Sequence, residues 1–392
     1  MYNFDEIIDR KGTNAVKLER CKALFGTEDL LPLWVADMDF RTPDFILNAI
    51  SERLKHPILG YTMPPKNFYP LMQKWITEHH KWELKRDWIG FLPGIVPGLA
   101  FAVQSLTEIG DEIIVQSPVY YPFFDVIQNN NRVLVNNPLK EQTGKFVMDF
   151  EDLEQKFTPK TKLFILCNPH NPGGRVWTKE ELQQFASICE KHQVIIISDE
   201  IHADMVLPGK TAHTPLATVS EWAENNTVTF MAPTKVFNMP GLISSGYIIP
   251  NSELRHKFAE FLEASEMNAG NIFAYIGAVA AYEHGEAWRV EMLDYVQKNI
   301  EYVADFLKEN VPQVVPMIPE ASFLVWLDCE KLGMETDELH KFFALKAGLG
   351  LNKGTIFGQG GEYHLRLNVA CSKLILEQAM KQLKSAVDEM MR

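Results

Sequence analysis

Six short runs of apolar residues recur through the middle of this chain: Glu112–Gln116, Arg132–Asn136, Lys162–Cys167, Val194–Ser198, Thr227–Met231 and Gly246–Ile249. Within runs such as KLFILC and QVIIIS the hydrophobicity is continuous rather than alternating. Strands of that kind have to be covered on both faces. Between several of them lie stretches with helical periodicity, notably Thr178–His192, which opens with Thr178 as N-cap ahead of Lys-Glu-Glu-Leu. Strand, helix, strand in this order builds a mostly parallel α/β sheet with helices on both sides.

After residue 270 the texture changes. Asn271–His284 and Ala287–Asn310 read as long helices, followed by a strand at Phe323–Asp328, a helix at Glu335–Ala347, a strand at His364–Val369 and a helix at Lys373–Met391. The expected architecture is therefore a large α/β domain over residues 48–284. A smaller α+β domain is formed by residues 285–392 together with the N-terminal arm, residues 1–47. A helix near Thr42–Lys55 leads into the large domain, and the first forty residues pack on one of the two units.

The balance of 38 Lys+Arg against 51 Asp+Glu gives a net charge of −13. That excludes the basic footprint of a nucleic-acid binder and a polybasic membrane patch. No apolar run reaches the ~18 residues of a spanning helix. The five cysteines, Cys21, Cys167, Cys189, Cys329 and Cys371, are odd in number, widely spaced and without a CxxC pair. Neither a disulfide framework nor a cysteine zinc site is expected, and no metal. The polar N-terminus is no secretory signal. The expected location is the cytoplasm.

Ligands of an open parallel sheet bind at the carboxyl ends of its strands, so the residues after each run carry the chemistry. KLFILC is followed by Asn168-Pro169-His170-Asn171-Pro172-Gly173-Gly174, QVIIIS by Asp199-Glu200-Ile201-His202-Ala203-Asp204, and TVTFM by Ala232-Pro233-Thr234-Lys235. Three strands thus deliver amides, a carboxylate and a lysine to one rim. Singly, each has a plainer reading as a solvated lysine, a turn or a cap. Jointly they match pyridoxal phosphate, an electron sink held by a lysine Schiff base with an acidic partner for its ring nitrogen. Lys235 supplies the amine, Asp199 the carboxylate, and Asn171 a donor to the phenolic oxygen. The segment Ser117–Phe123, after the run EIIVQ, offers an aromatic face. Gly94-Ile95-Val96-Pro97-Gly98 opens an apolar helix whose N-terminal amides suit a phosphate, and the Thr234 hydroxyl adds to it.

At this point the chain resembles a known family. PLWVADMDF (32–40), the turn at Gly60-Tyr61-Thr62, GIVPGLA (94–100), PVYYPF (118–123), CNPHNPGGRVW (167–177), SDEIHADM (198–205), APTKVFNMPGL (232–242) and HLRLNVAC (364–371) are similar to motifs of the fold-type I pyridoxal-phosphate enzymes, the aspartate-aminotransferase superfamily. More narrowly they resemble its cystathionine β-lyase (C–S lyase) group, often labelled MalY/PatB. The resemblance implies that Lys235 carries the cofactor and moves the substrate proton. Asp199 pairs with the ring nitrogen, Asn171 bonds the ring oxygen and Tyr120 stacks on the ring. Ile95, Val96 and Thr234 form the phosphate cup, and Arg366 clamps the substrate carboxylate. Tyr61 reaches the cofactor phosphate of a neighbouring subunit, which implies a homodimer with shared sites. The implied reaction splits cystathionine or a related S-substituted cysteine into pyruvate, ammonia and a thiol.

Two positions depart from the broader superfamily. Where many aminotransferases have tyrosine in Asp-Glu-x-Tyr, this chain has His202. Where many have an arginine eight residues after the lysine, it has Ile243. The phosphate site must then rely on amides, hydroxyls and Tyr61. His202 either tunes the ring oxygen or is a satisfied polar residue in a turn. Glu200 and Asp204 read as structural, Trp34, Tyr121 and Trp177 as core rather than pocket lining, and His79-His80 as surface. Three alternatives stay open: an aminotransferase on the same fold, a metal-dependent hydrolase using Asp199, Glu200, His202 and Asp204, and a non-catalytic binding protein.

Overall fold

The computed structural model describes residues 2–392. Among them a seven-stranded sheet is built from β1 (Ile89–Leu92), β2 (Glu112–Val115), β3 (Val133–Asn136), β4 (Thr161–Cys167), β5 (Ile195–Asp199), β6 (Thr227–Met231) and β7 (Ser245–Ile248). Their spatial order is β1-β7-β6-β5-β4-β2-β3. The apolar runs are continuous because successive side chains feed two different cores. Ile113, Val115, Ile165 and Ile197 pack with Leu99, Ala102 and Val103 of the helix Ile95–Leu106. Ile114, Phe164, Leu166 and Ile196 pack on the other face with Leu182, Phe185 and Cys189 of the helix Lys179–His192.

Neighbours from β2 to β6 are parallel, but β7 runs antiparallel to both β6 and β1. Strand direction leaves no mark on hydrophobicity, so the sequence shows the run at 246–249 but not its reversal. β1 was not among the expected strands. It is four residues long and contains Gly90, whose missing side chain makes room for the ring of Tyr247: a Cβ there would lie 2.1 Å from it.

A second sheet, antiparallel throughout, comprises β8 (Val315–Met317), β9 (Leu324–Asp328), β10 (Asn352–Lys353) and β11 (His364–Asn368) in the order β8-β9-β11-β10. The helices Glu286–Asn310, Thr336–Leu345 and Lys373–Met390 accompany it, close to the expected spans. The helix expected near Thr42–Lys55 forms over Asp44–Leu54. The N-terminal segment holds Leu31–Pro32 parallel to Leu349–Gly350. It also inserts Phe4, Met38 and Phe40 into a core that includes both Val236–Met239 and the small sheet. It therefore packs against residues from both of the expected units.

The expected cap at Thr178 forms a full capping box. Thr178 Oγ1 accepts from Glu181 N at 3.2 Å, and Thr178 N donates to Glu181 Oε2 at 2.7 Å. Removing such a cap costs about 0.5–2 kcal/mol. Thr178→Ala is expected to lower unfolding free energy by about 1 kcal/mol in urea titration. An unchanged midpoint would show that the box is dispensable.

Candidate active site

Parallel register sets the site. Cys167 pairs with Asp199, and Asp199 with Phe230, so three strands end level. The chain that continues from each lines one cavity of about 310 Å³. β4 brings Cys167 and Asn171, β5 brings Asp199, Ile201 and His202, and β6 brings Thr234 and Lys235. β1 ends on the same rim and turns at Gly94, whose φ of 106° suits glycine. The helix that follows brings Ile95, Val96 and Pro97 to the wall. Tyr120 arrives after β2. Because β7 is reversed, it is its N-terminal end that meets this rim, and it adds Ile243 and Ser245. Ser244 is buried beside them with no hydrogen-bond partner for its hydroxyl among the described residues.

Asp199 is buried, and the hydrogen bond its carboxylate accepts among the described residues is from Ile201 N at 3.2 Å. Burial pushes this carboxyl up to about 7, against the pull of the Ile201 N–H and the Lys235 charge. A carboxylate so placed calls for a cationic partner. The Lys235 Nζ donates to the Ala36 carbonyl at 2.6 Å. Burial, then the charge of Arg366, lowers this amine to about 8, with Asp37 and Asp199 acting the other way. His202 is buried with its Nδ1 unpartnered, and burial followed by the charges of Lys235 and Arg366 lowers it to about 3, so it is neutral. Tyr120 is raised above its ordinary value, mainly by burial.

Arg366, on β11, does not line the cavity wall but stands behind Asn171. Its Nη1 donates to Asn171 Oδ1 at 3.0 Å, and its Nη2 donates to the Trp34 carbonyl at 3.0 Å and to Asn352 Oδ1 at 2.8 Å. None of these partners is a carboxylate, and Nε has no partner among the described residues. Burial lowers this guanidinium to about 10. Because Asn171 spends its oxygen on Arg366, its NH2 group is the part left for a ligand oxygen. The residues therefore fit pyridoxal phosphate: an amine, a buried carboxylate with no ion pair among the described residues, an amide donor and amides at a helix N-terminus.

Tyr61 is the one proposed site residue that lies apart. It is fully exposed on the segment after the helix Asp44–Leu54. Glu200 and Asp204 are engaged away from the cavity. Glu200 accepts from Ser198 Oγ, Leu216 N and His213 Nε2, and Asp204 accepts from Trp75 Nε1 and His80 Nε2. His80, expected at the surface, is buried by that contact. The periodicity of its helix gave no hint, because its partner lies 124 residues away. Trp177 is core, its Nε1 donating to the Cys167 carbonyl. His170, within the motif CNPHNPGGRVW, has a structural role. It bonds the Pro118 carbonyl through Nε2 at 2.9 Å, and Gly173 N donates to its Nδ1, which pins the Tyr120 segment to the Asn171 loop. Ala36 and Asn352 act through contacts invisible to local pattern.

A family model described as "Aminotransferase class I and II" matches residues 28–383. The chain belongs to that family. It is 42% identical over 386 residues to "Cystathionine beta-lyase PatB" of Bacillus subtilis (strain 168), covering 98% of this chain and all of that one. It is 30% identical to "Protein MalY" of Escherichia coli (strain K12), covering 99% of each. Among solved structures, cystalysin from Treponema denticola, described as containing pyridoxal 5'-phosphate, superposes with a TM-score of 0.96 at 32% identity over the whole of both chains.

The burial of Asp199 has a pH signature. Its carboxyl ionises less readily in the folded chain than in the unfolded one, so the stability it contributes is complete below about pH 4 and is lost as pH rises through about 7. Asp199→Asn cannot ionise. Between pH 5 and pH 8 the cofactor-stripped wild type is expected to lose a few kcal/mol relative to that variant, at about 1.4 kcal/mol per pH unit of displacement. Urea midpoints of the pair at both pH values check this. A constant gap would show that Asp199 ionises without cost.

Proposed function

We propose that this protein is a pyridoxal-phosphate-dependent carbon–sulfur β-lyase acting on cystathionine or related S-substituted cysteines. The observation that carries the reading is the trio of Lys235, Asp199 and Arg366 around Asn171, with neither Asp199 nor Arg366 in an ion pair among the described residues. The similarity to a protein named cystathionine β-lyase supports the lyase branch of the family over the aminotransferase branch.

When bound, pyridoxal phosphate supplies an electron sink that stabilises negative charge at the substrate α-carbon. Asp199 would hold the ring nitrogen proton, gaining a directly paired counter-charge. Asn171 would donate to the ring oxygen while its own oxygen steadies Arg366. Arg366 would bind the substrate carboxylate. Tyr120 would offer its aromatic face to the ring. The amides of Ile95 and Val96 and the hydroxyls of Thr234 and Ser245 would hold the phosphate. Lys235 would anchor the cofactor through Nζ, and the same nitrogen, as a free amine, would take the α-proton. The Cβ–S bond breaks with its electron pair on sulfur, and the thiolate is protonated to a thiol. Water converts the remaining unsaturated amino acid to pyruvate and ammonia. His202, neutral beside Lys235, adds no charge to this balance.

The large unit over 48–284 holds the cofactor and the small unit brings Arg366 to it. The protein acts as a cytoplasmic homodimer, a reading supported by its five free, buried cysteines and by the exposed apolar residues Ile58, Leu59, Tyr61 and Met63 on one segment. Tyr61 of one subunit completes the phosphate site of the other.

Purified protein incubated with L-cystathionine and no keto acid is expected to release pyruvate and thiol in equal amounts, and Lys235→Ala to release neither. Turnover that requires an added keto acid would make the protein an aminotransferase. Light scattering is expected to give the mass of two chains, and Tyr61→Ala to retain less cofactor on dialysis than wild type; full retention would place Tyr61 outside the site.

A further inference from the structure

Residues 34–40, Trp-Val-Ala-Asp-Met-Asp-Phe, belong to no helix or strand, yet they are tied down along their length. Trp34 O accepts from Arg366, and Ala36 O from Lys235. Asn368 Nδ2 donates to Val35 O at 2.6 Å and to Asp37 O at 2.7 Å. Asn238, three residues past the lysine, bonds Met38 N, Met38 O and Phe40 O. This strap therefore touches both the lysine and the arginine of the site.

Its outer side carries a charge quartet. Lys17 is 2% exposed, and its Nζ lies 3.0 Å from Asp37 Oδ1 and 2.9 Å from Asp39 Oδ1. Arg10 pairs with Asp37 at 2.7 Å and with Asp39 at 2.9 Å. The Lys17 carbonyl accepts from Trp34 Nε1 at 3.0 Å. Burying a charge such as Lys17 among partly buried partners is a poor route to stability, since well-packed apolar residues often do as well or better. What such a network gives is a fixed position. It also fixes a charge: the ionised groups facing Lys235 are Arg366 from β11, Asp199 from β5 and Asp37 from the strap, with His202 neutral. Asp37 in turn faces Arg10, Lys17 and Lys235.

We propose that Lys17 and Arg10 are positioning residues for Lys235, locking the 34–40 strap through Asp37 and Asp39 so that the Ala36 carbonyl and the Asp37 charge are presented to the lysine nitrogen. The proposal rests on the pyridoxal-phosphate reading. In it, Asp37 favours the protonated nitrogen, and the two cations temper that influence.

The test is a spectrophotometric pH titration of the cofactor bound to wild type, Asp37→Asn, Lys17→Met and Arg10→Gln, from pH 6 to pH 10. Losing the anion is expected to lower the midpoint of the bound-cofactor absorbance change by about half a pH unit or more. Losing either cation is expected to raise it by a similar amount, on the scale of a Coulomb interaction partly screened by protein. Arg10 is partly exposed, so Arg10→Gln carries the cation arm if Lys17→Met does not fold. Midpoints that all shift in one direction, or do not shift, overturn the proposal, because mere loosening of the strap does not reverse sign with the charge removed. A wild type that takes up pyridoxal phosphate without a lysine-bound absorbance band overturns the cofactor reading itself.

Discussion

Parallel pairing places Cys167, Asp199 and Phe230 side by side, and each strand then releases its loop on the same side of the sheet. One step of slip in β5 would turn Asp199 to the opposite face and send its carboxylate into the core around Ile196. Burial resists that slip, because Ile196 and Ile197 fill apolar cores on the two faces and neither core has a partner for the carboxylate. The positions of Asn171, Lys235 and Gly94 are consequences, because each begins a fixed few residues beyond a strand end.

Around that rim the ionisable groups are set against one another rather than paired within the chain. Asp199 is lifted toward neutrality, while Lys235, His202 and Arg366 are drawn away from their charged forms, burial being the largest cause in each case. A buried site of this kind gains when it takes in a zwitterionic substrate and a cofactor bearing a ring cation and a phosphate. Each ligand charge then meets a protein charge whose desolvation has already occurred on folding, and in low dielectric such contacts count for more than they do in water.

Much of this is legible in the sequence. Continuous apolar runs mark two-sided burial, and the rule that ligands sit at strand ends turns three loop sequences into one site. What remained hidden depends on contacts between residues far apart. The reversal of Ser245–Ile248 rests on hydrogen-bond direction alone. His80 is buried by a carboxylate contributed from beyond β5. The strap at 34–40 has no periodicity because backbone carbonyls, not side-chain faces, do its work.

Ile243 shows how a local rule can yield to a site. It is β-branched, yet its φ is 53°, in the left-handed region where glycine is the usual occupant. It lies on the cavity wall at the position where many superfamily members carry an arginine. Without that cation, the proposed phosphate site would rely on the Ile95 and Val96 amides at a helix N-terminus and on the hydroxyls of Thr234 and Ser245, all on the cavity wall. Those donors stabilise an anion through directed hydrogen bonds rather than net charge, so orientation matters more than it would for a guanidinium. That makes the turn at Gly94 decisive: its φ of 106° sets the angle at which the amides meet the cavity. A side chain at that position would be strained by the backbone itself.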